Sequence, residues 1–225
     1  MTRFFFLLSI FIALPVIATP AQVAIVIDDI GYRQTDRQVL TLPGNVTYSV
    51  LPHTPYGKKL ATIAYQRKLD VILHIPMEST RGKRLGPGAL TSDMNEQSIR
   101  RTLANSFKEI PFAIGINNHM GSHLTTLENS MTWTMRYLKD NELLFLDSVT
   151  SPKTLARITA NKLGVPSRNR HVFLDNQLNH DYIAGQFQQL ISKAKKNKTA
   201  IAIAHPHPET ISALAKLIPT LKKHG

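Results

Sequence analysis

The sequence predicts an α/β fold built on an all-parallel sheet, either closed as a barrel or open and doubly wound. Three observations support this. Seven short, β-branched-rich runs alternate with segments of helical periodicity, and no composition break divides them. The runs are largely apolar at every position, as strands buried on both faces are. Almost every run also ends on residues that can do chemistry, at the C-terminal edge where α/β folds keep their sites.

The first run, Ala24 to Ile27, ends on Asp28 and Asp29, followed by Ile30-Gly31. Neighbours on a strand point to opposite faces, so these two carboxylates are expected to have separate jobs. Thr35 to Leu40 forms a short helix closed by Pro43-Gly44. Val46 to Leu51 is the second strand, Pro52 to Pro55 a turn, and a helix runs from about Tyr56 to Arg67. Asp70 to Ile75 is the third strand and delivers His74, Pro76, Met77 and Glu78. Ser79 to Thr91, with Gly82, Gly86, Pro87 and Gly88, is the longest non-periodic connection, a length that in compact domains marks the wall of a binding site. Ile99, Leu103, Phe107 and Ile110 line one helix face. Pro111 to Ile116 is the fourth strand, ending in Asn117-Asn-His-Met-Gly-Ser122.

Leu127, Met131, Met135 and Leu138 give the next helix its stripe, with the methionines and Trp133 as packing. Leu143 to Asp147 is the fifth strand. Ser151-Pro152 starts a helix with a cap and a first-turn proline, and Gly164 stops it. His171 to Asp175 is the sixth strand. Ile183, Phe187, Leu190 and Ala194 mark a helix, Thr199 to His205 is the seventh strand, and a last helix from Glu209 carries Ile211, Leu214, Ile218 and Leu221. The chain stops at Gly225, where another strand is expected, so any barrel is expected to be incomplete.

The 225 residues suit one domain, and a hydrophobic content of 43% supplies a sizeable core. Met1-Thr-Arg3 followed by apolar Phe4 to Ile17 and small residues has the form of a secretory signal peptide over residues 1–21, with cleavage after Ala18 or Ala21. The apolar stretch falls short of the ~20 residues that span a bilayer, so no stable membrane span is expected after cleavage. The remaining single domain, residues 22–225, is expected in the periplasm or otherwise secreted. There is no cysteine, which excludes disulfides, a lipoprotein anchor and thiol chemistry. The net charge of +12 falls to +11 once Arg3 leaves. The lysines sit in helix-end clusters such as Lys193–Lys198 and Lys222-Lys223, away from strand ends and without interleaved aromatics. Nucleic acid is therefore not expected as a partner; an anionic envelope polymer or membrane surface is. No glycine-rich dinucleotide or phosphate loop follows the first strand.

The strand ends are Asp28-Asp29, His74 with Glu78, Asn118-His119, Asp147-Ser148, Asp175-Asn176 and His205. In a parallel sheet they share one rim, because every crossover returns the chain in the same direction. One carboxylate and two or three imidazoles at a common rim make a divalent-metal site, zinc first, since histidine nitrogen with carboxylate oxygen and no thiolate is a normal catalytic set. A neighbouring carboxylate can take a proton from water, and a histidine across the pocket can protonate a leaving nitrogen. That is hydrolysis of an amide or ester.

These residues resemble the divergent polysaccharide deacetylases, a branch of the NodB-like carbohydrate esterase superfamily. The resemblance runs from Ile25 to about Leu221 through Ile27-Asp-Asp-Ile-Gly31, Leu73-His-Ile-Pro-Met-Glu78, Gly115-Ile-Asn-Asn-His-Met-Gly-Ser122, Phe145-Leu-Asp-Ser148, Val172-Phe-Leu-Asp175 and Ala202-Ile-Ala-His-Pro206. It implies a distorted (β/α) barrel of about seven parallel strands and metal-dependent deacetylation of an N-acetylated polysaccharide or peptidoglycan-like envelope polymer. Residue by residue, it implies Asp29, His74 and His119 as metal ligands, Asp28 as base and His205 as acid. Glu78, Asn118, Ser122, Asp147 and Asp175 are implied as supporting or substrate-binding residues, with Asp147 or Asp175 orienting a histidine. Three departures stand out. The superfamily's first motif is Thr-Phe-Asp-Asp-Gly, and here Ile30 is inserted between Asp29 and Gly31. The superfamily's second motif, His-[Ser/Thr]-x-x-His, would put a histidine where Glu78 stands, while His119 and His123 carry that spacing one strand later. Its Arg-x-Pro motif has no counterpart. The alternative expectation is therefore a catalytically inactive envelope protein that binds glycan or a protein partner through the inherited pocket.

Overall fold

The computed structural model describes residues 20–223. Most of the expected signal segment, including the Ala18 cleavage site, lies outside that range. Among the described residues no helix is long and apolar enough to cross a membrane. Eight parallel strands form one curled sheet: β1 (Gln22–Ile30), β2 (Thr47–Val50), β3 (Val71–Met77), β4 (Gly115–Met120), β5 (Leu144–Asp147), β6 (Ser167–Asn169), β7 (Val172–Phe173) and β8 (Thr199–Ala204), in the order β6-β5-β4-β3-β2-β1-β8-β7. Helices α1 (Gly57–Gln66), α2 (Glu96–Glu109), α3 (Glu128–Asp140), α4 (Ala156–Leu163), α5 (His180–Asn197) and α6 (Pro208–Leu217) lie outside it. The Thr35–Leu40 segment is 3-10 rather than α, spanning Gln34–Thr41. α4 starts at Ala156, later than Ser151-Pro152 suggests, because Thr154 is drawn to Asp147. Gly164 ends α4 in the left-handed conformation.

The sheet closes without a strand beyond Lys222. Its two edges, β6 and β7, are consecutive in the chain. Ser167–Asn169 pairs with β5, the amide of Arg170 reaches Asp147 O (2.9 Å), that of His171 reaches Ile201 O (2.8 Å), and Val172–Phe173 pairs with β8. One extended segment thus changes partner and completes the ring. The sequence-based sixth strand, His171 to Asp175, is the second half of that segment.

The period of two along each strand separates two apolar surfaces. Ile25, Ile27, Leu73, Ile75, Ile116, Phe145, Ala202 and Ala204 point outward and pack with the helices in the main core. Val26, Ile72, Leu146 and Ile203 point inward and form a small plug, with Leu144, Phe173 and Ile201 against it. The next inward position on every strand but β6, at the strand or just past its end, is polar: Asp28, Ser49, His74, Asn117, Ser148, Asp175 and His205. The site is therefore the layer directly above the plug.

Candidate metal centre and active site

β1 breaks its alternation where the carboxylates sit. Ile27 pairs with Tyr48 but Ile30 with Val50, so β1 carries one extra residue there, and Asp29 takes φ +59°. The bulge overturns the expectation that Asp28 and Asp29 face apart. Both reach the same imidazole: His74 Nε2 lies 3.1 Å from Asp29 Oδ1 and 3.7 Å from Asp28 Oδ2. A left-handed aspartate is backbone strain held at a functional position. Gly31 follows at φ +138°, where a Cβ would collide with Thr54 Oγ1, so the turn after the bulge needs glycine.

Asp29, His74 and His119 each point one ligand-type atom at a common spot, all within 4.8 Å of one another. Asp29 Oδ1 is 2.8 Å from His119 Nδ1, and the two imidazoles are 3.2 Å apart. Asp29 Oδ1 is buried yet has no partner in hydrogen-bond geometry. Burial alone would raise the Asp29 pKa, but the imidazoles of His119 and His74 outweigh it and hold the carboxyl far below the usual range. Burial would lower His74, but the charges of Asp28 and Asp29 reverse that and raise it. The Asp29 carboxylate with two facing imidazole nitrogens forms a donor set that fits a divalent cation, whose binding would displace protons.

The sequence reading missed Asn117, which organises this cluster. Its Nδ2 donates to Asp28 Oδ1 (2.8 Å), and its Oδ1 accepts from Ser49 Oγ (2.6 Å) and meets His74 Nδ1 at 2.7 Å. An ionised carboxylate only accepts, which orients the Asn117 amide; its oxygen must then receive the Nδ1 proton of His74. With Nδ1–H committed to Asn117, Nε2 is the atom that holds the second proton against Asp29 when the raised pKa keeps the ring charged, and the one that offers a lone pair when a cation displaces that proton. Ser49, from the middle of β2, was missed as well.

Asn118, outward on β4, spans the rim instead, donating to Met120 O and accepting the Ser148 amide. Asp175 orients a histidine: its Oδ1 is 3.0 Å from His205 Nδ1, while its Oδ2 accepts the His205 amide and the Thr210 hydroxyl. Burial would lower His205, but the Asp175 carboxylate, with the charges of Asp29 and Asp28, raises it to about 9. Asp147 orients no histidine; it accepts from the Val149 amide and Thr154 hydroxyl and shapes the turn after β5. Glu78 stands apart from the cluster, accepting the Ser92 amide at 2.6 Å, with His123 Nε2 at 3.9 Å. Ser122 accepts the Thr80 amide and anchors the loop after β3.

An arginine is present although the Arg-x-Pro motif is not. Arg170, in the partner-switching segment, donates to Ser148 O (2.7 Å) and Val149 O (3.0 Å) and lies 3.6 Å over the Phe173 ring. Burial lowers its pKa, while the charges of Asp147 and Asp28 oppose that.

A family model described as divergent polysaccharide deacetylase matches residues 25–225. The uncharacterized protein YibQ of Escherichia coli is 38% identical over 212 residues; the match covers 92% of this chain and 66% of that protein. The chain thus spans about two thirds of that relative's length. Among solved structures, an uncharacterized protein of Agrobacterium tumefaciens C58 superimposes with TM-score 0.86 at 24% identity, covering 92% of this chain and 86% of that one. A family 4 carbohydrate esterase from Streptomyces lividans, solved with acetate, superimposes with TM-score 0.54 at 13% identity over 92% and 90% of the two chains. At those identities the structural likeness establishes the fold: a distorted (β/α) barrel of the NodB-like carbohydrate esterase type.

Proposed function

The chain belongs to the divergent polysaccharide deacetylase family, and from that premise we propose that it is a periplasmic, metal-dependent hydrolase that removes N-acetyl groups from an envelope glycan. The observation carrying this reading is the Asp29/His74/His119 cluster with the buried Asp28 carboxylate on one side and the Asp175–His205 pair at the same rim. Asp29, His74 and His119 would hold a divalent ion, zinc by donor type, which when bound supplies Lewis acidity to water and to the amide carbonyl. Asp28 Oδ1 is occupied by Asn117, so Oδ2 is the atom that takes the proton of the attacking water. His205 Nδ1 is committed to Asp175, so Nε2 gives its proton to the amine as the C–N bond breaks. The products are acetate and an amino sugar. The basic start and apolar stretch of residues 1–17 support export.

The test is acetate release from chitin oligosaccharides by protein stripped with a chelator and reloaded with zinc. Stripping is expected to abolish release, reloading to restore it, and calorimetry to find one zinc per chain. Absence of zinc binding would overturn the reading. Mass spectrometry of periplasmic protein is expected to find its N-terminus at Thr19 or Gln22.

His205 also sets a pH limit. Its folded pKa lies above the ordinary ~6.5, so the acid is loaded at neutral pH and is lost as pH rises through about 9. The stability gained from its Asp175 pair is complete below ~6.5 and disappears over the same rise. A cation on Asp29 cancels part of the charge that raises His205, so the alkaline limb of kcat in zinc-loaded protein is expected at or below about pH 9. In Asp175→Asn the limb moves toward neutral pH. A limb unmoved by that change would remove His205 from the role of acid.

A further inference from the structure

We propose that the loop from Ser79 to Thr91 is a cationic strap across the site mouth that selects an acidic glycan, one in which the N-acetylated sugar neighbours a carboxylate-bearing sugar. The inference deepens the deacetylase reading and rests on its glycan substrate. The strap carries Arg81, Lys83 and Arg84 and no carboxylate between Ser79 and Thr91. The sequence reading placed the cation clusters away from strand ends, but these three follow β3, the strand of His74. All three are exposed, and none belongs to an ion pair found among the described residues. The carboxylates at the strap's foot are engaged: Glu78 holds the Ser92 amide, and Asp93 takes the Thr91 hydroxyl.

The position of the strap is fixed at both ends. The amides of Glu78 and Leu90 bond to Leu90 O (3.0 Å) and Pro76 O (2.8 Å), closing its base. On one side Thr80 donates its amide to Ser122 Oγ at 3.1 Å, three residues past His119. On the other side Gly86 packs on Tyr32, three residues past Asp29; the tyrosine hydroxyl would lie 2.6 Å from a Cβ at Gly86. The cationic stretch Arg81–Arg84 therefore runs between anchors that adjoin two metal-site residues on different strands. Exposed cations so placed act on an anionic ligand within about one Debye length, ~8–10 Å, which is the scale of a neighbouring sugar. Tyr32, 49% exposed at one anchor, offers a flat aromatic face beside those charges. Leu85, next to Arg84, is half-buried, so its side chain is partly withdrawn from the surface that the three cations occupy.

The experiment compares binding of the purified protein to a hyaluronan oligosaccharide, which alternates N-acetylglucosamine with glucuronate, and to an uncharged chitin oligosaccharide of equal length. Calorimetry is run at low and high salt. The wild type is expected to bind the hyaluronan oligomer more tightly, with a preference that salt erases. The triple variant Arg81→Ser, Lys83→Ser, Arg84→Ser is expected to lose about tenfold in affinity for it at low salt, as three exposed charge contacts would give, with an unchanged melting temperature. Equal wild-type affinity for the two oligomers, or a triple variant indistinguishable from wild type, overturns the proposal. So does strap-dependent binding to phosphatidylglycerol vesicles without binding to hyaluronan. Acetate release is scored separately: charge-selective binding by a wild type that releases no acetate would reject the hydrolase reading and leave the strap in place.

Discussion

Asp28→Asn is expected to reduce acetate release by about 10²–10⁴-fold, the range for loss of a positioned general base, while zinc still binds with near wild-type affinity. The two halves of this expectation come from the geometry. Asp28 is 2% exposed and lies 3.7 Å from His74 Nε2, farther than Asp29, and it is not part of the ligand cluster. The substitution keeps shape and volume, so any drop in rate reports the missing proton acceptor and not a collapsed pocket. Asparagine at this position can still accept from Asn117 Nδ2 through its own carbonyl, which preserves the link to β4. Single-turnover acetate release and zinc calorimetry on the same sample separate the outcomes. A rate loss with intact zinc binding supports Asp28 as base. Loss of both would mean that Asp28 belongs to the ligand set. If Asp28→Asn complemented a deletion strain fully, the protein's role in the cell would be binding, the reading suggested by Glu78 in place of a second-motif histidine and by the missing Arg-x-Pro motif.

The rim was legible because a parallel sheet places every strand exit on one side, and a polar residue closing an apolar run stands out in the sequence. Asp29, His74, His119 and His205 could be picked out on that ground. Asn117 could not, because strand four read as ending at Ile116 and the two asparagines then fell in an exit loop with no facing. The strand runs to Met120, in register His74 with Asn117. Period two carried three residues farther would have pointed to Asn117 and not Asn118. Ser49 was hidden for a different reason: a hydroxyl inside a β-branched run fits the strand pattern and gives no signal. Arg170 sits where Ser167-Arg-Asn-Arg170 has no apolar run at all, so neither the partner-switching closure nor the arginine it delivers could be read. The bulge was half visible. Ile30 standing before the glycine marks the extra residue, but only backbone geometry shows that it turns both carboxylates toward one histidine.

Asn117→Leu is expected to weaken zinc binding by about 10–100-fold, as loss of a group that orients a metal-binding histidine typically does, to cut acetate release at saturating zinc by at least the Asp28→Asn factor, and to lower the melting temperature. Asn117 is fully buried, and leucine is close to it in volume, so packing alone would predict a mild effect. The cost comes from what leucine cannot satisfy. Ser49 Oγ, Asp28 Oδ1 and His74 Nδ1 all lose a partner at once, and each buried polar group left unpaired costs about 1–3 kcal/mol. Without an acceptor at Nδ1, neutral His74 is free to place its proton on Nε2, where it would block the lone pair offered to the proposed cation. Asn117→Asp provides the contrast. It keeps an oxygen for Ser49 and His74, so it should retain zinc, but it sets a second carboxylate against Asp28, and two such groups in contact cannot both stay ionised. Its activity is expected to fall while its zinc affinity holds. Zinc competition titrations, melting curves and acetate release on the two variants therefore separate the hold on the histidine from the hold on the base. Wild-type zinc affinity in Asn117→Leu would show that His74 keeps its tautomer without Asn117.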